Sequence, residues 1–278
     1  MPYATVGREN SADIDIYYED HGSGQPVVLI HGFPLNGDSW ERQIPILLDA
    51  GYRVIYYDRR GFGKSSHPAT GYDYNTFTSD LRTLLEKLDL HETILVGFSM
   101  GTGEVTRYLG TYGPDRVSKA ALFAPLAPYL LRTDDNPEGV PAEVFDKIKQ
   151  DIREDRFAYQ KAFLDNFYNV DVYGGTRISN EAWQNSWNVA ASASPIGTLQ
   201  CIDSWLTDFR GDVPGLSSVP LLVVQGNQDR ILPIDSTGRR LPALIKDLNY
   251  HEVDGGPHNI GWTHPEVLNP LLLDFVKG

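Results

Sequence analysis

Short β-rich runs, several of them apolar at nearly every position, constrain this 278-residue chain more than any other feature. They fall at Ile14 to Glu19, Val27 to His31, Arg53 to Tyr57, Thr93 to Val96, Val117 to Phe123, Leu221 to Gln225 and Tyr250 to Val253. A sheet with one wet face alternates polar and apolar residues; several of these runs do not, so both faces need cover. Helical periods lie between them, the clearest being Phe77, Leu81, Leu84, Leu85 and Leu88 on one face. Strand alternating with helix predicts a mostly parallel sheet flanked by helices. The first two runs, separated by Gly22-Ser23-Gly24-Gln25-Pro26, read as a hairpin or as adjacent strands. From Ala127 to Val213 the β pattern stops and the chain turns acidic, aromatic and helical. That shift predicts a helical cap over 127–213, inserted into a core built from 1–126 and 214–278.

Charge narrows the partners. Lys and Arg number 24 against 37 Asp and Glu, a formal charge of -13, which opposes nucleic acid and anionic membranes. No apolar run reaches the ~18 residues of a membrane span. The first ten residues lack a basic patch followed by an apolar stretch, so no signal peptide is expected and the cytoplasm is the expected location. One cysteine, Cys201, precludes an internal disulfide, and no Cys/His spacing suggests a metal site. Neither metal nor cofactor is expected; a homo-oligomer suits a chain of this size.

Chemistry enters at Gly97-Phe98-Ser99-Met100-Gly101, a G-x-S-x-G motif directly after a β run and before a helical stretch. In that context the serine sits on a sharp turn, and flanking glycines let neighbouring backbone approach. A serine hydroxyl needs a base, and the base an orienting carboxylate. In the α/β-hydrolase fold these follow in the order serine, acid, histidine. Asp229 lies just past the run Leu221 to Gln225, where open α/β sheets assemble sites; Asp235 is a reserve, better suited to an N-cap. His258 stands in the loop Asp254-Gly255-Gly256-Pro257-His258-Asn259 after the last β run. The other histidines have weaker claims: His251 falls in a strand, His264 opens the final helix, and His21, His67 and His91 are read in turns or at helix ends. The two oxyanion donors are expected from the backbone N–H groups of Met100 and of Phe33 in His31-Gly32-Phe33-Pro34-Leu35. His31 is read as bracing that loop rather than as a base. Leu126, Trp205 and Ile231 are candidates for lining the substrate pocket.

With these motifs in place, the chain resembles the cofactor-free bacterial haloperoxidases of the α/β-hydrolase superfamily and their relatives, the γ-lactamases and small-ester hydrolases. The likeness runs nearly the full length, through Tyr17 to Gly22, His31 to Leu35, Tyr57-Asp58-Arg59-Arg60-Gly61-Phe62-Gly63, Gly97 to Gly103, Asp134 to Gly139 and Asp229 to Pro233. The resemblance implies an eight-stranded sheet and a metal-free, haem-free enzyme that forms an acyl ester on Ser99 from a small carboxylate or ester. Attack by water makes it an esterase. Attack by hydrogen peroxide releases a peracid, which oxidises halide away from the protein. Pro34 bears on that partition, because a proline lacks N–H and restricts the residue before it, aiming the Phe33 carbonyl at an incoming hydroperoxide. Two stretches depart from the group's pattern: Gly255 to Asn259 replaces Ala-Pro-His-Gly, and Ala124 to Pro128 also differs.

Haloalkane dehalogenases and epoxide hydrolases of this superfamily need an aspartate at the elbow, which Ser99 excludes. A lid-activated lipase needs one long amphipathic face in the cap, and none is present. A non-enzymatic binding module would lack a triad residue. Perhydrolase, carboxylesterase and γ-lactamase share every residue named, with esters, carboxylates and bicyclic lactams as their substrates.

Overall fold

The computed structural model describes residues 2–278. Its eight strands are β1 (Tyr3–Glu9), β2 (Ala12–His21), β3 (Pro26–Ile30), β4 (Arg53–Tyr57), β5 (Thr93–Phe98), β6 (Val117–Phe123), β7 (Leu221–Gly226) and β8 (Asn249–Val253). They form one sheet in the order β1-β2-β4-β3-β5-β6-β7-β8. Strand β2 is antiparallel to β1 and β4, and every pair from β4 to β8 is parallel. This is the α/β-hydrolase sheet the sequence led us to expect. Every residue of β5 and β7 is buried, so both faces of the sheet are covered.

One expectation is corrected. The runs in β2 and β3 are neither a hairpin nor adjacent, because β4 lies between them, pairing Tyr18 with Tyr57 on one side and Ile30 with Tyr57 on the other. The five-residue turn could close a hairpin, but β4 carries the buried Val54 and Ile55 and satisfies its backbone by taking a partner on each edge. His21 accordingly ends β2 rather than lying in a turn.

The helices are α1 (Ile44–Asp49), α2 (Tyr74–Lys87), α3 (Met100–Tyr112), α4 (Ala142–Tyr168), α5 (Val170–Tyr173), α6 (Asn180–Ser192), α7 (Pro195–Ser204), α8 (Val213–Leu216), α9 (Ile260–Thr263) and α10 (Pro265–Lys277). Asp73 caps α2 by accepting from the Thr76 N–H, and Phe77, Leu81, Leu84 and Leu85 form its buried stripe. α2, α3 and α8 pack as one group, α1, α9 and α10 as another. Helices α4 to α7 lie between β6 and β7. The 27 residues of α4 break at Asp155 (φ -155°, ψ 94°), whose Oδ1 accepts the N–H groups of Phe157 and Ala158 at 3.0 Å each and so starts a second helix. No helix among the described residues is long and apolar enough to cross a membrane.

Strands β3, β5, β7 and β8 end level with one another: Ile30 pairs with Gly97, and Gly226 with Val253. The loops carrying Phe33, Ser99, Asp229 and His258 therefore leave one edge of the sheet. Shortening Leu95, fully buried at the centre of β5, should test how far that edge depends on the core. Leu95→Ala should lower unfolding free energy by ~2–5 kcal/mol, read as a reduced denaturant midpoint with an unchanged slope.

Candidate active site

The serine expected as nucleophile sits on a forced turn. Ser99 links β5 to α3 with φ 52° and ψ -120°, a left-handed conformation that ordinary side chains avoid. Glycines make room for it: a Cβ on Gly97 would lie 2.6 Å from the Gly101 carbonyl oxygen, and one on Gly101 would lie 2.2 Å from the Ile30 oxygen. The first turn of α3 is thus pressed against the ends of β3 and β5. The Ser99 N–H donates to the Phe123 carbonyl at 2.8 Å, fixing the turn to β6. Helix α3 points its N-terminus at the hydroxyl, placing positive potential where an oxyanion would form.

His258 is completely buried, its ring 5.1 Å from both Phe98 and Phe167. Its Nε2 lies 2.7 Å from Ser99 Oγ and its Nδ1 2.8 Å from Asp229 Oδ2. With Nδ1–H donating to the carboxylate, the Nε2 lone pair is free to accept the serine proton. Asp229 is anchored in turn: Oδ1 accepts the Ile231 and Leu232 N–H groups at 2.9 Å each, and Oδ2 accepts from Gln225 Nε2 at 3.2 Å. The reserve acid, Asp235, is exposed, lies within a short 3-10 turn rather than at its N-cap, and pairs with Arg239.

The two expected oxyanion donors flank the serine. Met100 opens α3, so its N–H has no intrahelical acceptor. The Phe33 N–H has no acceptor among the described residues, and its neighbour Gly32 lies against the serine, since a Cβ on Gly32 would sit 2.9 Å from that of Ser99. One peptide group contains both the Gly32 carbonyl and the Phe33 N–H. Its carbonyl accepts from His31 Nδ1 at 2.8 Å and from the Leu35 N–H at 3.2 Å. Holding the carbonyl on one side directs the Phe33 N–H to the other.

His31 is held as well. Its Nε2 accepts from the Arg59 N–H at 2.9 Å, and Arg59 Nη2 donates to its carbonyl at 2.7 Å. Behind this, Arg59 and Tyr57 both donate to Glu104 on α3, in a pair shut away from solvent. Burial pushes the Glu104 carboxyl up, and the Arg59 charge opposes that shift. None of this network was read from the sequence beyond the bracing role of His31. Its signal was present in a lone acid one turn into an apolar helix and in charged residues closing a buried strand.

The segment between β6 and β7 grips the same loops. The Asn259 N–H donates to the Phe167 carbonyl, Asn169 to the Gln228 carbonyl, and Tyr173 to the Gly255 carbonyl at 3.0, 3.0 and 2.7 Å. Arg230 and Asp171 form a bidentate pair. Asn259, at a departure from the family pattern, caps α9 through the Trp262 N–H. Of the remaining candidates, Trp205 and Ile231 line an apolar cavity beside α4. Leu126 does not; it is buried with its N–H held by Thr102. Pro34 is buried too, joined to Phe33 by a cis peptide. Cys201 is buried, and burial pushes its thiol up to about 12, which suits packing. Among the described residues no group of three His, Cys, Asp or Glu side chains is placed to hold a metal ion.

A serine at a strained strand–helix turn, with a buried imidazole and carboxylate behind it at the edge of a parallel sheet, defines the α/β-hydrolase class, whose family model matches residues 25–265. The chain belongs to that family, within it to the branch of non-haem haloperoxidases and perhydrolases. It is 65% identical over the full length of both chains to a Synechocystis sp. protein provisionally named a non-heme chloroperoxidase. A bifunctional esterase/perhydrolase of Acinetobacter calcoaceticus is 31% identical, covering 95% of this chain and 96% of its own. Among solved structures, the bromoperoxidase from Bacillus anthracis superposes with a TM-score of 0.94 at 44% identity, covering 100% of this chain and 99% of that one.

Burial, reinforced by Arg59, holds the His31 imidazole well below its usual value near 6.5. The unfolded chain takes up a proton near that pH which folded His31 refuses. The stability it contributes is therefore full above pH 6.5 and declines as pH falls through it. That part of the acid slope in denaturant titrations should vanish in His31→Leu. The same variant should lose about 10- to 100-fold in kcat on a small ester, with KM changed far less, because the oxyanion donor is no longer held.

Proposed function

We propose that this protein is a cytoplasmic serine enzyme, free of metal and cofactor, that transfers a small acyl group through Ser99 to water or to hydrogen peroxide. The observation that carries the reading is the 2.7 Å contact between Ser99 Oγ and His258 Nε2, with Asp229 behind the ring. His258 takes the hydroxyl proton as Oγ attacks the substrate carbonyl, and the Phe33 and Met100 N–H groups receive the oxyanion. Collapse expels the alcohol, which takes the proton from His258, and leaves acyl-Ser99. From a free carboxylic acid the expelled group is water.

In the second half the acceptor gives a proton to His258 and attacks the ester, and His258 passes that proton to Ser99 Oγ as the acyl–oxygen bond breaks. Water returns the carboxylic acid; hydrogen peroxide gives the peracid. The peracid then oxidises chloride or bromide in solution to the hypohalous acid and is itself reduced to the carboxylic acid. No halide or redox site on the protein is required. The relatives named as chloroperoxidase and as esterase/perhydrolase support both outcomes from one acyl-enzyme.

The test is product partition by the metal-stripped protein on a small acetate ester, with and without hydrogen peroxide, counting acetic and peracetic acid. Peracid should appear with peroxide, and both products should disappear in Ser99→Ala. Acetic acid alone would leave an esterase, and turnover surviving in Ser99→Ala would refute the acyl-enzyme. Replacing Pro34 by Leu should shift the peroxide-to-water ratio if that loop sets the acceptor.

A further inference from the structure

One buried amide touches the triad without taking part in the proton transfers. Gln225, next to last in β7, is shut away from solvent. Its orientation is fixed at both ends: Oε1 accepts the Gly238 N–H at 3.1 Å, and Nε2 donates to the Leu232 carbonyl at 2.9 Å. Gly238 is pressed against it, since a Cβ there would lie 2.3 Å from Oε1. The donor edge of the amide therefore faces Asp229, with Nε2 3.2 Å from Oδ2. Its second hydrogen has Oδ2 and the Thr237 hydroxyl, also 3.2 Å away, to choose between.

That carboxylate oxygen is the one that holds the base. A carboxylate has about four lone-pair sites. Here Oδ1 takes the N–H groups of Ile231 and Leu232, and Oδ2 takes His258 Nδ1 and the Gln225 amide. A second donor on Oδ2 draws on the charge left for the ring. Around the imidazole, Phe98 of β5 and Phe167 of α4 are uncharged, Ser99 lies at Nε2, and Arg230, beside Asp229 in the chain, is engaged by Asp171. Asp229 is the charged group bonded to the ring, so its hold on a protonated His258 follows how much of Oδ2 the amide takes.

We propose that Gln225 is a positioning residue acting through Asp229: its donation to Oδ2 limits the charge the acid presents to His258, so that the ring returns its proton to the leaving alcohol and to Ser99. This rests on the acyl-transfer reading above, and the experiment separates the two.

The readouts are the pH profile of kcat/KM on a small acetate ester and the downfield NMR resonance of the His258 Nδ1 proton. Gln225→Met is similar in length but lacks the amide. It should move the acid limb up by about one pH unit and shift the proton further downfield, because Oδ2 then serves the ring alone and holds its proton to higher pH. Thr237→Val should do the reverse to a smaller extent, because the amide hydrogen it releases goes wholly to Oδ2; this near-isosteric variant decides the matter should Gln225→Met fail to fold. A purely structural amide would lower Tm in Gln225→Met and leave limb and proton in place in both variants. That result, or displacements of the same sign in both, would overturn the assignment. Opposite displacements of the proton without Ser99-dependent turnover would refute acyl transfer and leave the Gln225 assignment standing. Ser99-dependent turnover with limb and proton unmoved would do the reverse.

Discussion

The contact on which the site depends is the pressing of the first turn of α3 against the ends of β3 and β5. It exists because Gly97 and Gly101 have no side chains, and it leaves Ser99 no conformation but the left-handed one. Such a backbone costs about 1–3 kcal/mol and persists only when its surroundings over-determine it. Here they do: the Ser99 N–H is tied to β6, its carbonyl accepts from the Thr102 N–H at 2.8 Å, and the Thr102 hydroxyl bonds the same oxygen. The strain holds Oγ clear of the sheet at the one place where β5, α3 and the loop after β3 meet.

The loop after β3 needs separate support, because a loop beside a glycine is free to turn its peptide over. That support is a chain of buried polar contacts from Gly32 through His31 and Arg59 to Glu104, which returns to α3 five residues beyond Ser99. A buried ion pair is a doubtful source of stability, since desolvation offsets most of its attraction. Its value here is geometric. Glu104 and Ser99 share one helix–strand junction, so the pair fixes the Gly32–Phe33 peptide in the same frame as the Ser99 hydroxyl. The neutral His31 suits this role, since it donates through one nitrogen and accepts through the other; a charged ring would lose the Arg59 N–H.

How much of this was legible followed the range of the interactions. The parallel sheet could be read because burial on both faces leaves unbroken apolar runs, and Ser99, Asp229 and His258 because each follows such a run at a turn. Strand neighbours were less accessible: β4 takes its place between β2 and β3 through a pairing that no local pattern records. The Arg59–Glu104 pair joins positions 45 residues apart, and the grip of Asn169, Asp171 and Tyr173 on the acid and base loops spans 59 to 82. For Leu126 residue type alone spoke: it suited a pocket wall, and it is absent from the lining of the cavity beside α4.

That grip bears on what the helices between β6 and β7 are for. A segment serving only to cover the site would need apolar contacts alone. Instead Asn169, between α4 and α5, and Tyr173, at the end of α5, donate to backbone carbonyls at Gln228 before Asp229 and at Gly255 before His258, while the Phe167 carbonyl takes the N–H just after His258. The aromatic layer that lines the cavity and the bonds that set the acid-to-base distance therefore belong to one stretch of chain. Changes in α4 that reshape the cavity will act on the imidazole as well, through Phe167 and Asn169. Residues on the half of α4 before the Asp155 break stand outside this coupling, and there the cavity is free to vary in shape while the triad stays fixed.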